Sequence, residues 1–190
     1  MAKYEIILSG YGGQGLLIAG QALCYAALTH KMKATWVPSY GSEMRGGTAY
    51  CMVVLSEKEI DSPVVNKPDI LLAFNLLSLQ KFGPKVKPSG CVIVNRPSME
   101  WNIRQYVSHK DTKVFELPLN DLAAKLGDIR MANMVCLGAF IEITKLLPND
   151  CLVEGIGRCF LGKKESIIQM NKLAIQKGMD FIKQNSLAQF

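Results

Sequence analysis

The residues with the clearest chemical potential form a glycine run near the start of the chain, Gly10-Tyr11-Gly12-Gly13-Gln14-Gly15. It satisfies G-x-G-x-x-G, and it follows a short apolar run and precedes an Ala-rich one, the strand-loop-helix context in which that motif has a mechanism. Glycine permits positive φ and close approach of a ligand. The free N–H groups and dipole of a helix beginning near Gly13 favour an anion such as phosphate. Gly12, Gly13, Gln14 and Gly15 are therefore the residues expected to face it. A turn needed only for tight packing of strand on helix would use the same glycines, and the residues alone leave both readings open.

A second constellation is Pro38-Ser39-Tyr40-Gly41-Ser42-Glu43-Met44-Arg45-Gly46-Gly47, too polar and too rich in glycine for a core element. Long polar loops at strand ends are commonly functional. Arg45 offers a planar fork of donors suited to phosphate or carboxylate, and Glu43 could orient it or accept a hydroxyl. Tyr40, Ser42 and Gly46 complete the candidate lining. The alternative is a structural Glu43–Arg45 interaction with Gly46-Gly47 as a turn. A nicotinamide dinucleotide would require an acid at the end of the second strand to hold the ribose hydroxyls. Pro38-Ser39 occupies that position and Glu43 lies beyond it, so a dinucleotide oxidoreductase takes second place.

Other reactive side chains are scattered. Cys24, Cys51, Cys91, Cys136, Cys151 and Cys159 lie far apart with no C-x-x-C, so buried thiols are expected and no metal or iron–sulfur site. His30 and His109 have no acid or nucleophile motif around them, and Trp36 and Trp101 are expected to pack. Asn133, in an apolar helical stretch, needs a partner, and bracing a loop is a more economical role for it than touching a ligand. No catalytic residue is expected in this chain.

The elements that must hold these loops can be read from periodicity. Lys3 to Ser9, Lys33 to Val37, Thr48 to Leu55, Ile70 to Phe74, Cys91 to Asn95 and Thr112 to Leu117 read as strands, and Leu16 to Leu28 and Leu76 to Phe82 as helical. From Leu119 onward the pattern is helical almost to the end. In Lys163 to Gln184, residues Ile167, Ile168, Met170, Asn171, Ala174, Ile175, Gly178, Met179 and Ile182 recur three or four apart, which predicts an amphipathic closing helix. Continuous apolar strands alternating with helices predict an open three-layer α/β/α Rossmann-like sandwich, its sheet largely parallel but mixed because two strand patterns lie close together between Lys33 and Leu55.

At 190 residues one domain over 1–190 is expected, and 49% hydrophobic against 20% charged residues excludes a disordered chain. Every apolar stretch is interrupted before membrane-span length, and Tyr4 to Leu8 is too short for a secretory signal, so the cytoplasm is the expected compartment. The formal charge of +6 is spread over separate lysines. A solvated face accounts for it, as would attraction of an anionic cofactor or an acidic partner; without interleaved aromatics, nucleic acid is not expected.

GYGGQG with Ala19-Gly20, followed by PSYGSEMRGG, resembles the paired signature of the gamma subunit, or gamma domain, of pyruvate and 2-oxoacid:ferredoxin oxidoreductases. Pro68-Asp69-Ile70, Lys87-Pro88-Ser89-Gly90, the Asn133-centred stretch from Ala124 to Ala139, and Asn171, Ala174 and Gly178 resemble the rest of the family's pattern in order. The resemblance covers essentially the whole chain, and it implies a subunit of an enzyme that decarboxylates a 2-oxoacid oxidatively to its acyl-CoA. It implies that partner alpha and beta chains, optionally with a ferredoxin-like delta chain, hold thiamine diphosphate, magnesium and iron–sulfur clusters. Electrons would pass to ferredoxin or flavodoxin. The gamma module's implied part is to hold coenzyme A and to dock its partners, and it would be inactive alone. Among substrates 2-oxoglutarate is placed slightly ahead of pyruvate, with a branched oxoacid and indolepyruvate behind. A stand-alone nucleotide-binding oxidoreductase and a purely structural interaction module are the alternatives.

Overall fold

A computed structural model describes residues 2–39, 48–96, 102–185 and 187. Among them, six strands form one sheet: β1 (Lys3–Gly10), β2 (Lys33–Ser39), β3 (Ala49–Ser56), β4 (Ile70–Ala73), β5 (Cys91–Asn95) and β6 (Lys113–Leu117). The helices are α1 (Leu16–Thr29), α2 (Leu76–Phe82), α3 (Leu119–Ala124), α4 (Ala132–Thr144), α5 (Asn149–Cys159) and α6 (Glu165–Gln184). The strand order is β2-β3-β1-β4-β5-β6. β3 runs antiparallel to both β1 and β2, while β1, β4, β5 and β6 pair in parallel. The expected mixed, largely parallel sheet is thus the observed one.

Side-chain alternation splits the sheet's apolar residues between two cores. Ile6 and Leu8 of β1, Ile70 and Leu72 of β4, and Cys91 and Ile93 of β5 face α1, α3, α4, α5 and α6. Ile7, Leu71, Ala73, Val92 and Val94 face the other way, toward Leu79 and Phe82 of α2 and toward Val65, Val86 and Ile103. Both faces are covered, which is why β4 and β5 read as unbroken apolar runs. The cover is lopsided, with five helices on one side and one short helix on the other.

On the thick side the helices approach closely because small residues stand at the crossings. A Cβ on Gly138 of α4 would collide with the Ile175 carbonyl of α6, and one on Gly178 of α6 would collide with the Val135 carbonyl of α4. Gly155 of α5 lies equally tight against Ala22 and Ala26 of α1. These reciprocal contacts leave little freedom in where α4 begins.

Two expectations need correction. The apolar stripe of α6 is buried only from Asn171 onward; Ile167 and Met170, in its first turns, are exposed because they line an open cavity. The thiols divide as well: Cys51, Cys91 and Cys136 are buried, whereas Cys24, Cys151 and Cys159 pack at the margin of the core and are only partly so. No helix among the described residues is long and apolar enough to cross a membrane.

Candidate functional site

β1 leaves the sheet at Gly10, which is fully buried beside Phe74 and the Gln14 side chain. The loop that follows is short and internally braced. Tyr11 N–H donates to Gln14 Oε1 at 2.6 Å, and Gln14 N–H donates to the Tyr11 carbonyl at 3.4 Å. Gln14 thus spends its side-chain acceptor inside the loop, whereas Gly12 and Gly13 face open space, where an added Cβ would meet nothing within 4 Å. Gly13 (φ 86°) and Gly15 (φ 70°) both occupy the left-handed region, which only glycine enters without strain.

α1 begins at Leu16, where the periodicity puts it, with Gly15 as its N-cap. Gly15 brings no side-chain acceptor and no acid stands in the first turn, so among the described residues the positive end of a fourteen-residue helix has no side-chain partner. Around it lies a cavity of about 300 Å³, lined by Tyr11, Gly12, Gly13, Leu16, Ser39 and Ala49 among others.

Register explains why Ser39 and Ala49 are there. Gly10 pairs with Ala49 and Ser39 pairs with Tyr50, so the ends of β2 and β3 come to rest beside the end of β1. Tyr40, Ser42, Glu43, Arg45 and Gly46 lie outside the described residues. The two residues between which they run, however, share a cavity with Gly12, Gly13 and Gly15.

A second cavity, about 480 Å³, adjoins the same loop and shares Gly13, Gly15 and Ile18 with the first. Its polar lining includes Asp128, Arg130, Asn133, Ser166 and Asn171. Arg130 grips Asp128 through two forks, Nε to Oδ1 at 3.0 Å and the terminal nitrogen to Oδ2 at 2.7 Å. That guanidinium holds the Asp128 carboxyl below its ordinary range. Asn133 donates from Nδ2 to the Gly15 carbonyl at 3.0 Å, the bracing role expected of a buried amide in this helix. A larger hollow, about 650 Å³, is lined by Tyr25, Glu154, Arg158 and Lys172 and lies away from the glycine loop.

Sequence reading missed Asp128, Arg130 and Asn75. The first two signal only as an Asp-x-Arg pair ahead of an apolar helix. Asn75 follows Phe74, whose N–H donates to the Ser9 carbonyl at 2.8 Å, so it sits beside the strand end that launches the glycine loop. Its Oδ1 caps α2 by accepting Ser78 N–H at 2.8 Å, and its buried Nδ2 finds no partner among the described residues.

The thiols offer no nucleophile here. Burial pushes Cys24, Cys51 and Cys91 up to about 12, so they stay protonated near neutrality. No cluster of His, Cys, Asp and Glu able to hold a metal occurs among the described residues.

Comparison with known proteins agrees with this arrangement. The profile of the pyruvate ferredoxin/flavodoxin oxidoreductase family matches residues 5–181. The 2-oxoglutarate synthase subunit KorC of Methanothermobacter thermautotrophicus is 35% identical over 192 residues, covering 97% of this chain and 97% of that protein. The ketoisovalerate oxidoreductase subunit VorA of the same organism is 34% identical over 184 residues, but the chain spans only 37% of VorA's length. Among solved structures, the keto/oxoacid ferredoxin oxidoreductase gamma subunit from Geobacter sulfurreducens superposes with a TM-score of 0.72 at 26% identity, covering 93% of this chain and 96% of that one. The 2-oxoglutarate:ferredoxin oxidoreductase from Magnetococcus marinus, solved with 2-oxoglutarate, coenzyme A and succinyl-CoA bound, shares the fold at TM-score 0.84 and 22% identity, with the chain covering 32% of it. A match over nearly the whole chain, with the glycine loop at the carboxyl edge of a mixed sheet, makes this chain a member of the pyruvate ferredoxin/flavodoxin oxidoreductase family.

Proposed function

We propose that the chain is the gamma subunit of a 2-oxoacid:acceptor oxidoreductase, acting as one domain over residues 1–190 that binds coenzyme A and docks the chains that carry the redox chemistry. The observation carrying this reading is the uncapped, acid-free N-terminus of α1 behind an open glycine loop, in a chain of the same extent as KorC. Coenzyme A carries a pyrophosphate and a ribose phosphate, which such a helix end and a donor-rich loop suit. When bound it supplies the thiol that accepts the acyl group. Gly12, Gly13 and Gly15 would present backbone to the anion, and Gln14 would keep the loop in shape. Arg45, with Tyr40, Ser42, Glu43 and Gly46, would close the mouth from the β2–β3 side.

Thiamine diphosphate, magnesium and iron–sulfur clusters are assigned to alpha, beta and ferredoxin-like delta partners, with ferredoxin or flavodoxin as acceptor and the cytoplasm as compartment. 2-Oxoglutarate is the preferred oxoacid because KorC matches from end to end. The VorA likeness keeps a branched oxoacid as the competing substrate. A stand-alone dinucleotide enzyme is disfavoured by Ser39 at the end of β2, where a ribose-binding acid would be required.

The test is reconstitution with the chains encoded alongside it and assay of oxoacid-dependent reduction of a dye or ferredoxin. Activity that requires both this chain and coenzyme A, with an Arg45→Ala variant raising the KM for coenzyme A, is the expected result. Activity or bound flavin in the isolated chain would defeat the reading.

A further inference from the structure

From the geometry behind the glycine loop we infer that Asn133 is a positioning residue for cofactor capture, setting the direction of the first backbone donor of α1. The inference rests on the reading of the loop as the coenzyme A site, and it names the residue that gives that site its shape.

Asn133 stands at the second position of α4, in a helix whose other residues are almost all apolar and buried, and it is itself 6% exposed. Its Oδ1 accepts Met134 N–H at 2.8 Å, which orients the amide group, and its Nδ2 reaches 118 positions back along the chain to the Gly15 carbonyl at 3.0 Å. That carbonyl also accepts Ala19 N–H at 3.1 Å, the opening bond of α1. Two donors therefore converge on one oxygen and hold the peptide plane between Gly15 and Leu16.

A trans peptide is planar, with its N–H antiparallel to its C=O. Pinning the Gly15 carbonyl onto Asn133 makes the Leu16 N–H point away from Asn133. The cavity linings are consistent with that direction: Leu16 lines the 300 Å³ cavity with Gly12 and Gly13, and Asn133 lines the 480 Å³ cavity, to which Leu16 does not contribute. Gly15 is bound to this arrangement twice, by its positive φ and because a Cβ there would run into the Asn133 amide. Asn133 thus fixes an anion-facing donor without touching the anion, and the Gly138–Gly178 crossing holds α4 where it can do so.

The experiment compares Asn133→Ala and Asn133→Asp with the parent in two settings. In the reconstituted enzyme, the KM for coenzyme A should rise about tenfold, the loss expected for one buried hydrogen bond, while the KM for the oxoacid and kcat at saturating coenzyme A stay within about twofold. In the full chain alone, amide exchange of Ala19, whose N–H shares the Gly15 carbonyl with Asn133, should accelerate. Asp keeps the shape but presents an acceptor to a carbonyl; burial raises its pKa, so the protonated form donates again and the deficit should shrink as pH falls from 8 to 6. Unchanged exchange at Ala19 in both variants, or oxoacid and coenzyme A parameters that worsen together, overturns the role for Asn133. Faster exchange with an unaltered KM for coenzyme A overturns the cofactor half of the inference, and with it the coenzyme A reading of the loop.

Discussion

The two ends of the central strands are built on opposite terms. At the amino end, Lys87 Nζ bonds Glu5 Oε2 at 2.7 Å and Asp69 Oδ1 at 2.9 Å, while Glu5 N–H donates to Asp69 Oδ2 at 2.8 Å and Asp69 N–H to the Glu5 carbonyl at 2.7 Å. Every charge there has a partner within the chain, which ties β1, β4 and the approach to β5 into one knot. At the carboxyl end, the loop from Gly10 to Gly15 braces itself through Gln14 and Asn133 yet leaves the α1 terminus and the faces of Gly12 and Gly13 without partners among the described residues. Saturated polar groups stabilise a fold; unsaturated ones beside a cavity await something from outside.

If that contrast is right, substitutions at the two ends should fail differently. The largest effect is expected for Gly15→Val, which combines a forbidden φ with collision against Asn133. It should lower unfolding free energy by about 3 kcal/mol in denaturant titration and abolish coenzyme A saturation in the assembled enzyme. Gly12→Asp should separate the two properties. Its Cβ meets nothing, so unfolding should change by under about 0.5 kcal/mol, but a carboxylate at the loop should raise the KM for coenzyme A by tenfold or more. A stable Gly12→Asp enzyme with a normal KM would erase the distinction between the ends.

Lys87→Met should do the reverse, costing about 1 kcal/mol of stability with no change in coenzyme A kinetics; the pair is partly exposed, so solvent screening keeps the figure small. The smallest effect is on pH dependence. Burial opposes ionisation of Glu5, but hydrogen bonds from Lys87 and Lys3 outweigh it and hold its carboxyl below the ordinary 4.5. Its contribution is present above that value and should fade as pH falls through the lower folded value. Lys87 is likewise disfavoured by burial but raised above 10.5 by its bonds to Glu5 and Asp69. Its contribution holds below 10.5 and fades as pH climbs through the higher folded value. Glu5→Gln should flatten the acid limb of a stability–pH curve, and an unaltered limb would remove Glu5 from the knot.

How much of this was legible beforehand depended on range. Strands and helices with strong local patterns, such as Cys91–Asn95 and Leu76–Phe82, lie where periodicity puts them, because burial on two faces or one leaves a local trace. The glycine loop was legible for the same reason, its backbone needs being met within six residues. The Asn133–Gly15 bond was not, since the sequence shows that a buried amide needs a partner but not which carbonyl 118 positions away supplies it. The exposed start of α6 deceived the pattern because an apolar stripe records what a helix can bury, and Ile167 and Met170 line an open cavity instead of closing onto a neighbour. Gln14 was read as facing ligand, although its Oε1 is committed to Tyr11.

The reversed direction of β3 has a consequence for how such a protein can change. Because that strand returns between β2 and β1, the connection from Ser39 to Ala49 departs from and comes back to points adjoining Gly10. Lengthening or shortening that connection would change what the chain carries beside Gly10 while every strand pairing kept its alignment. Selection could therefore vary this edge of the glycine loop through one connection, leaving the folding of the rest indifferent to the edit.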